Sequence, residues 1–158
     1  MKLSRKLRRI FYRISHYPPR IAYALGLGPL VGRVILLLTT RGRKSGLDRV
    51  TPLQYEEVGG DIYIGSAMGR NSDWLRNIQA DPCVEVRAGK RRFQGAAEVV
   101  TEPRRIADYL ELRLERHPQM VGLILKMEGL PTKPARSDLE KYAERLSMVV
   151  IRNIENKI

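Results

Sequence analysis

The sequence predicts a mainly β protein of the α+β class, a small antiparallel barrel of about six strands with helices at its start, middle and end. Apolar or alternating runs of strand length recur between residues 33 and 101, and turns containing glycine separate them. Helical patterns lie between these runs rather than after every strand, which disfavours a doubly wound parallel sheet. The run 147–154 is expected to close the barrel as its last strand.

Local patterns predict the individual elements. Strands are expected in meander order at 33–40, 49–58, 61–67, 83–87, 92–101 and 147–154. Pro52 places the second strand at an edge or a bulge, because proline cannot donate to a strand ladder. Helices are expected at 72–80, 102–116, 120–127 and 137–146. Ser72 is the expected N-cap of the first of these helices, and Ser137 with Glu140 forms the expected capping box of the last.

The first 32 residues are expected to form a basic amphipathic helical segment outside the barrel domain at 33–158. Within 3–16, apolar residues recur at helical spacing with arginine and lysine between them, and two prolines end the helix. This helix either lies on anionic lipid or covers the domain's own core, and the sequence leaves both interpretations open. The apolar stretch 21–30 is too short and interrupted to span a bilayer. We therefore expect a cytoplasmic protein, peripheral at the inner face of the cell membrane if the helix binds lipid.

The excess of positive charge is concentrated in the first third of the chain. The 29 lysines and arginines exceed the 17 acids by 12, and residues 1–50 hold 12 of these bases against a single acid. This asymmetry favours a polyanionic partner: nucleic acid, anionic lipid, or a small molecule bearing phosphate and carboxylate groups. Nucleic acid is the least expected, because two phenylalanines and one tryptophan offer little surface for base stacking.

Cysteine and histidine usage argues against a metal site. One cysteine, Cys83, excludes an internal disulfide and a cysteine cluster, and it is expected to pack as a small hydrophobic residue. The two histidines, His16 and His117, are isolated and lack the spacing of metal ligands. No metal is therefore expected.

Two segments concentrate groups that suit an anion. The stretch 39–53 (TTRGRKSGLDRVTPL) contains the cations Arg43, Lys44 and Arg49 around glycines that let the backbone approach a ligand closely. The stretch 65–77 (GSAMGRNSDWLRN) is a Ser/Gly loop that leads into a helix, whose free N–H groups and dipole attract an anion. Because both segments follow strands that would be neighbours in a meander, we expect them to lie close together.

From about residue 34 to residue 86, the sequence resembles the deazaflavin-dependent nitroreductases, a branch of the split-barrel flavin/deazaflavin oxidoreductases. The resemblance rests on three motifs in this order: LLTTRGRKSGLDRVTPL, IYIGSAMGR and DWLRNIQADPCVEV. It implies a six-stranded antiparallel split β-barrel of the FMN-binding type. It also implies coenzyme F420, a 5-deazaflavin with a phosphate and an oligoglutamate tail, as the donor of a hydride to a hydrophobic acceptor such as a quinone, a nitro compound or an unsaturated lipid.

The resemblance implies a role for each matching residue. The residues that hold the phosphate are Arg43, Lys44 and Arg49. Those that line the deazaflavin ring are Ser66, Ala67, Met68 and Gly69. The strand that passes under the ring contains Thr51, Pro52 and Leu53. Trp74 and Asn77 lie beside the cofactor, although Trp74 is equally compatible with ordinary core packing. Relatives carry lysine at the position of Met68, so this chain either lacks one cofactor contact or makes it through Arg70.

The cofactor carries the chemistry in this interpretation, so no nucleophile is required. A proton donor to the reduced substrate is Ser66, Tyr63 or solvent, and the sequence does not rank them. Three acids at 108, 111 and 115 are expected to pair with Arg113 and Arg116 on an exposed helix face.

Alternative functions remain open from the sequence. The same barrel serves FMN, so an FMN-binding split-barrel reductase is the nearest enzymatic alternative. A non-catalytic cofactor-binding or membrane-surface protein is a further alternative. Split barrels of this kind often pair, which makes a homodimer an expectation by analogy.

Overall fold

A computed structural model describes residues 34–66 and 69–155 of this chain. The described part contains one seven-stranded antiparallel sheet and four α-helices. The strands are β1 (Ile35–Arg41), β2 (Asp48–Gln54), β3 (Glu56–Val58), β4 (Asp61–Ser66), β5 (Cys83–Ala88), β6 (Arg91–Val100) and β7 (Ser147–Asn153). The helices are α1 (Asp73–Ala80), α2 (Pro103–Arg116), α3 (Pro118–Met127) and α4 (Arg136–Ala143). A 3₁₀ turn at Gly69–Asn71 precedes α1. The predicted segment 1–32 lies outside the described residues.

The sheet curls because its two edges are neighbours along the chain. Its strand order is β2-β1-β5-β6-β7-β4-β3, so β2 and β3 lie at opposite edges. A single residue, Tyr55, connects these two edge strands. One residue spans only about 3.5 Å, and the two edges must therefore come together. The mainly β fold with flanking helices, curled as a split barrel, is confirmed.

Two details of the predicted barrel are wrong. The structure has seven strands instead of six, because the run 49–58 is divided at Tyr55 and its two parts pair at opposite edges of the sheet. The order is not a meander, since β1 pairs with β5 and β7 lies between β6 and β4. Local sequence patterns carry no information on which distant strand becomes a neighbour. The edge position predicted from Pro52 is confirmed, because β2 is an edge strand.

The barrel interior forms the first of two hydrophobic cores. Alternate residues of the strands point inward, as the two-residue period of a strand requires. Helix α1 contributes Trp74, Leu75 and Ile78 to the same core, so it packs against the interior of the barrel. The interior side chains from the strands are Leu36, Leu38, Ile62, Ile64, Val84, Val86, Ala88, Phe93, Val149 and Ile151.

Helices α2, α3 and α4 form the second core on the outer face of the sheet. Strand β7 separates the two cores, since Val149 and Ile151 face the barrel interior while Met148 and Val150 face the helices. This two-sided burial explains why β7 reads as a continuous apolar run instead of an alternating one. No helix of the described residues is long and apolar enough to cross a membrane.

The helix boundaries are close to those predicted, with one error at α4. Helix α4 begins at Arg136, and Ala135 precedes it as the N-cap residue. The Asp138 carboxylate accepts a hydrogen bond from the Ala135 N–H at 2.9 Å, so the capping box predicted at Ser137 is wrong. The structure also corrects the prediction for Cys83, which is exposed at the start of β5 and not packed in a core.

The ion pairs predicted within α2 are wrong. Arg113 and Arg116 reach the Glu56 carboxylate at the start of β3, with N–O distances of 3.6 and 3.0 Å. Arg136 on α4 instead binds two of the α2 acids, Asp108 at 2.7 Å and Glu111 at 2.9 Å. The i, i+4 rule describes isolated helices, and here tertiary partners replace the local ones.

Candidate functional site

The turn between β1 and β2 is tight and depends on two glycines. The Gly42 N–H donates to the Leu47 carbonyl at 2.8 Å, and the Gly46 N–H donates to the Gly42 carbonyl at 2.7 Å. Gly46 has a φ of +68°, which other residues rarely adopt. A Cβ on Gly42 would lie 2.7 Å from Ser45 Oγ and 3.1 Å from the Leu47 carbonyl oxygen. We define residues 42–47 as the basic turn.

Asn77 on α1 connects the basic turn to the barrel. Its Oδ1 accepts hydrogen bonds from the Arg43 backbone N–H at 3.2 Å and from the Arg43 guanidinium at 3.0 Å. Its Nδ2 donates to Thr40 Oγ1 at 3.2 Å. The Arg43 guanidinium also pairs with the Asp73 carboxylate at 3.0 Å. The two segments predicted to converge do so, and α1 provides the contact.

The basic turn and its flanking strands expose three further cations. Arg41, Lys44 and Arg49 are all exposed, and none forms an ion pair with a carboxylate of the described residues. Asp48 lies opposite Arg41 in the strand register and is the one acid in the segment 39–53. Like charges at this density repel one another in the absence of an anion. The region therefore favours binding of an anionic group.

The loop after β4 is fixed by the Ser66 hydroxyl. Buried Ser66 donates to the Gly69 carbonyl at 2.9 Å, and its Oγ lies 2.9 Å from the Ser72 Oγ. Gly69 has a φ of +57°, and a Cβ there would lie 2.9 Å from the Arg145 carbonyl oxygen. The predicted ring-lining residues Ala67 and Met68 lie outside the described residues.

The two predicted proton donors lie on opposite faces of β4. Ser66 shares the inward face with the core residues of β4, whereas Tyr63 packs in the helix-covered core. The Tyr63 ring stacks on Tyr109 with a centroid distance of 6.3 Å. Burial raises the pKa of Tyr109, so this phenol stays protonated. The structure therefore does not bring Ser66 and Tyr63 together, and the proton of Ser66 is already directed to the Gly69 carbonyl.

The other predicted site residues occupy β2 and α1. Thr51 and Leu53 are half-buried opposite the interior residues Leu38 and Leu36, and Pro52 is buried on the other face of β2. Trp74 is 9% exposed and belongs to the interior core, which confirms its core packing. Arg70 is exposed in the 3₁₀ turn.

Sequence reasoning missed three residues that hold the site together. Thr40 accepts from Asn77, Ser72 contacts Ser66 instead of capping α1 with its side chain, and Asp73 binds Arg43. Each belongs to a segment that the sequence did single out. Their partners, however, lie between six and 37 residues away, so spacing gave no signal for the individual contacts.

The donor set fits a phosphate-bearing coenzyme. A lysine ammonium and arginine guanidinium groups are the side chains that bind phosphate best. One of them, Arg43, contacts Asp73 in the first turn of α1, where the helix dipole also favours an anion. The described residues therefore provide a site for the anionic part of such a coenzyme, next to the half-buried strand β2.

Comparison with known proteins points in the same direction. The family model for F420H(2)-dependent quinone reductase matches residues 22–121. An F420H(2)-dependent quinone reductase of Mycobacterium tuberculosis (strain ATCC 25618 / H37Rv) is 37% identical over 68 residues, which cover 41% of this chain and 46% of that protein. The match thus spans about half the length of that relative.

Solved structures share the fold. A solved F420-H2 dependent reductase (FDR-A) aligns with 76% of this chain and 95% of its own, with 22% identity and a TM-score of 0.53. Another solved chain, described as a domain-swapped dimer, covers 84% of this chain and 94% of its own at 22% identity, with a TM-score of 0.54. At these identities, the likeness shows the fold alone. The family model, in contrast, matches well over half of the sequence, and the chain therefore belongs to the F420H(2)-dependent quinone reductase family, whose cofactor is coenzyme F420.

Proposed function

We propose that this protein is an oxidoreductase that transfers a hydride from reduced F420 to a hydrophobic acceptor. The observation that carries the proposal is the group of exposed cations in and next to the basic turn that have no carboxylate partner among the described residues. An anionic ligand bound among these cations would relieve their mutual repulsion. The phosphate and glutamate groups of F420 supply that anion.

The phosphate group of the coenzyme is proposed to bind to three cations in and next to the basic turn. Lys44 and Arg49 bind the phosphate, because both are exposed and have no carboxylate partner within the described part of the chain. Arg43 contributes from the same turn, with part of its guanidinium held by Asp73 and Asn77.

The ring is proposed to lie over β2 and the loop that follows β4. The side chains of Thr51 and Leu53 share one face of β2, and Pro52 lies between them in the sequence with its ring on the other face. Ser66 and Gly69, on either side of the two residues outside the described part, are proposed to complete the ring site. Because Met68 carries no charge, Arg70 is the proposed cation of this loop.

The protein's own residues position the reactants and exclude water. When bound, reduced F420 supplies a hydride to the acceptor, and the acceptor takes up one proton. Ser66 shapes the loop that borders the ring, since its hydroxyl fixes the Gly69 carbonyl. Buried Trp74 closes the site from the barrel side. Because the Ser66 proton is engaged and Tyr63 lies on the other sheet face, solvent is the proposed proton source.

The acceptor is proposed to be a quinone, with nitro compounds and unsaturated lipids as further acceptors of the same hydrophobic class. The support is the activity for which the matching family and relative are named, since both are quinone reductases. A quinone accepts a hydride and a proton to give a hydroquinone, so the reaction needs no further reactant.

A comparative titration tests the proposal. F420 and FMN are titrated separately into the purified protein while absorbance is recorded, and quinone reduction is then followed with the reduced form of whichever binds. We expect micromolar binding of F420, weaker binding of FMN, and oxidation of reduced F420 when a short-chain quinone is added. Tighter binding of FMN, or a protein that purifies yellow, would support the FMN-reductase alternative. Binding of F420 without turnover on any acceptor would leave a cofactor-binding protein.

We also propose peripheral contact with an anionic membrane through residues 3–16. A feature of the described part supports it: α3 exposes an apolar face, in which Leu123 is 60% exposed, beside Met120, Ile124 and Met127. Deletion of residues 1–19 should release the protein from vesicles that contain phosphatidylglycerol. Unchanged vesicle binding would exclude 3–16 as the anchor.

Pairing of two copies is also proposed. A structural neighbour of this fold is described as a domain-swapped dimer, which supports the pairing. Light scattering of the purified chain tests it, and a mass of about 18 kDa at all concentrations would contradict it.

A further inference from the structure

Asn77 is a buried amide whose polar atoms are almost fully used. It is 4% exposed, and its Oδ1 accepts two hydrogen bonds, from the backbone N–H and the guanidinium of Arg43. Its Nδ2 gives one of its two hydrogens to Thr40. An amide offers two acceptor positions and two donors. Asn77 therefore has at most one N–H left for any ligand.

The hydrogen bonds of Asn77 connect the end of strand β1 with the start of the basic turn. Thr40 lies near the end of β1, and Arg43 lies two residues beyond the last residue of that strand. By binding both, Asn77 sets where the chain leaves the strand and where the basic turn begins. Movement of a buried amide with its partners satisfied is also unfavourable, because a buried polar group that loses its hydrogen bonds is strongly destabilising. The basic turn is thus held in one position relative to α1.

Asp73 makes a weaker contribution to this arrangement. Its side chain is 83% exposed, and exposed ion pairs contribute little free energy. The Arg43 guanidinium therefore depends mainly on Asn77 for its orientation. Lys44 follows Arg43 in the basic turn, so its position depends on the same contact. Arg49 lies in β2 opposite Thr40, which is the other partner of Asn77.

We propose that Asn77 is a positioning residue for the coenzyme phosphate, acting through the basic turn and not by touching the coenzyme itself. This inference rests on the proposed function and differs from the sequence-based expectation that Asn77 lies beside the cofactor as a ligand. It assigns to Asn77 the geometry of the phosphate-binding cations. Affinity for the deazaflavin ring should not change when the Asn77 side chain is removed.

Two ligands separate this role from a direct contact. F420 carries the phosphate and glutamate tail, and its deazaflavin–ribityl fragment lacks both. For Asn77→Ala, we expect F420 affinity to fall about tenfold to a hundredfold, while affinity for the fragment stays within about twofold. The melting temperature and fragment affinity show that the variant is folded. Gln79→Ala, which removes an exposed amide from the same helix, is the matched control, and its F420 affinity should change by less than about threefold.

Several outcomes would overturn the inference. If folded Asn77→Ala lost affinity for both ligands equally, Asn77 would be in direct contact with the ring. If its F420 affinity were unchanged, the basic turn would not need Asn77 to hold its position. If Asn77→Ala does not fold, Thr40→Val is the second test variant, because it removes the acceptor of Asn77 Nδ2. Thr40→Val should lower the affinity for F420 and leave the affinity for the fragment unchanged. Equal loss of affinity for both ligands would overturn the inference. A wild-type protein that binds neither ligand would refute the proposed function itself. That result differs from one in which wild type binds F420 and only the role of Asn77 fails.

Discussion

Glu56 is a buried acid that joins the barrel to the helical layer. Its carboxylate, at the first residue of β3, lies 3.0 Å from Arg116 and 3.0 Å from His117 Nε2, with Arg113 at 3.6 Å. The Glu56 side chain is only 7% exposed, whereas Arg116 and His117 are about 40% exposed. A buried carboxylate needs such partners, because its desolvation is otherwise uncompensated. These contacts fix β3 against the α2–α3 junction.

Replacement of Glu56 by glutamine should therefore destabilise the protein. The neutral side chain leaves two arginines next to each other without their anion, and we expect a decrease of about 1–3 kcal/mol in the free energy of unfolding, less than for a fully buried pair because two partners are partly solvated. Thermal unfolding measures the change. Glu115→Gln, at an exposed position of α2, is the control and should leave the free energy of unfolding within about 0.5 kcal/mol of wild type. An equal effect of the two substitutions would contradict the role given to Glu56.

Lys44 and Arg49 should each contribute to F420 affinity through charge. We expect Lys44→Gln and Arg49→Gln to weaken F420 binding by about tenfold each, which corresponds to about 1.4 kcal/mol. Their effect should shrink at high salt, because salt screens exposed charges. Absorbance titration at two ionic strengths provides the measurement, and Lys126→Gln at the end of α3 is the charge-matched control. Wild-type affinity in both turn variants would remove the electrostatic basis of the proposed site.

Residue chemistry could be predicted from the sequence, but residue contacts could not. The density of arginine, lysine and glycine in 39–53 indicated an anion site, and the structure exposes Lys44 and Arg49 there. The hydrogen bond from the Arg43 guanidinium to Asn77 Oδ1 joins positions 34 residues apart, so it forms only after α1 packs on the barrel. Asp73 lies in the first turn of α1, where an acid is favourable, and its pairing with Arg43 is an addition that tertiary packing supplies.

At the scale of elements, the loop between β4 and α1 depends on one backbone conformation. Gly69 has a positive φ, and a Cβ at this position would meet the Arg145 carbonyl oxygen, which follows α4. The Gly69 carbonyl in turn accepts from Ser66. Gly69 is thus hydrogen-bonded from the barrel side and packs closely against the chain that follows α4. The shape of the loop reflects the packing of two elements that are distant in the sequence.

Gly69→Ala should therefore cost more than an ordinary glycine substitution. The strained φ costs about 1 kcal/mol, and the Cβ contact at 2.9 Å with a backbone oxygen adds a displacement of the loop. We expect lower thermal stability and weaker F420 binding in the same variant. Gly129→Ala is the matched control, because Gly129 also has a positive φ but no atom within 4 Å of a new Cβ. Equal melting temperatures and equal F420 affinities in the two variants would show that the Arg145 contact has no effect.

The boundaries of elements were predictable wherever a local signal sets them. Pro103 begins α2 as expected for proline in a first turn, and Asp81 follows the last residue of α1. The predicted start of α4 was wrong because Ser137 and Glu140 match a capping box in sequence, whereas Asp138 caps a helix that begins one residue earlier. Two overlapping signals of similar strength cannot be ranked without the structure.

At the scale of the whole molecule, the closure of the sheet was the feature that the sequence did not reveal. Tyr55 divides one predicted strand into two edge strands, and no turn residue marks the division. The insertion of β7 between β6 and β4 requires contact between residues nearly 90 positions apart, such as Tyr63 with Val150. The amount of β-structure followed from periodicity, while its topology depended on these long-range pairings.

Ion pairs between different elements stabilise the closed barrel. Glu57 on β3 binds Arg91 at the start of β6 at 2.6 Å, although these strands are not neighbours in the sheet. Glu98 on β6 binds Arg105 on α2 at 2.7 Å and Arg152 on β7 at 2.9 Å. Hydrogen bonds from Arg91 lower the pKa of Glu57, and hydrogen bonds from Arg105 and Arg152 lower the pKa of Glu98.

The lowered pKa values predict the direction of acid sensitivity. The folded carboxyls release their protons more readily than the unfolded ones, whose pKa is near 4.5, so their contribution to stability is present above that pH. It is lost as the pH falls through the lower folded pKa values. The double variant Glu57→Gln/Glu98→Gln should be less stable than wild type at pH 7, and its melting temperature should fall less steeply between about pH 5 and pH 3. Parallel melting curves across this range would show that both pairs are too solvated to support the closure of the barrel.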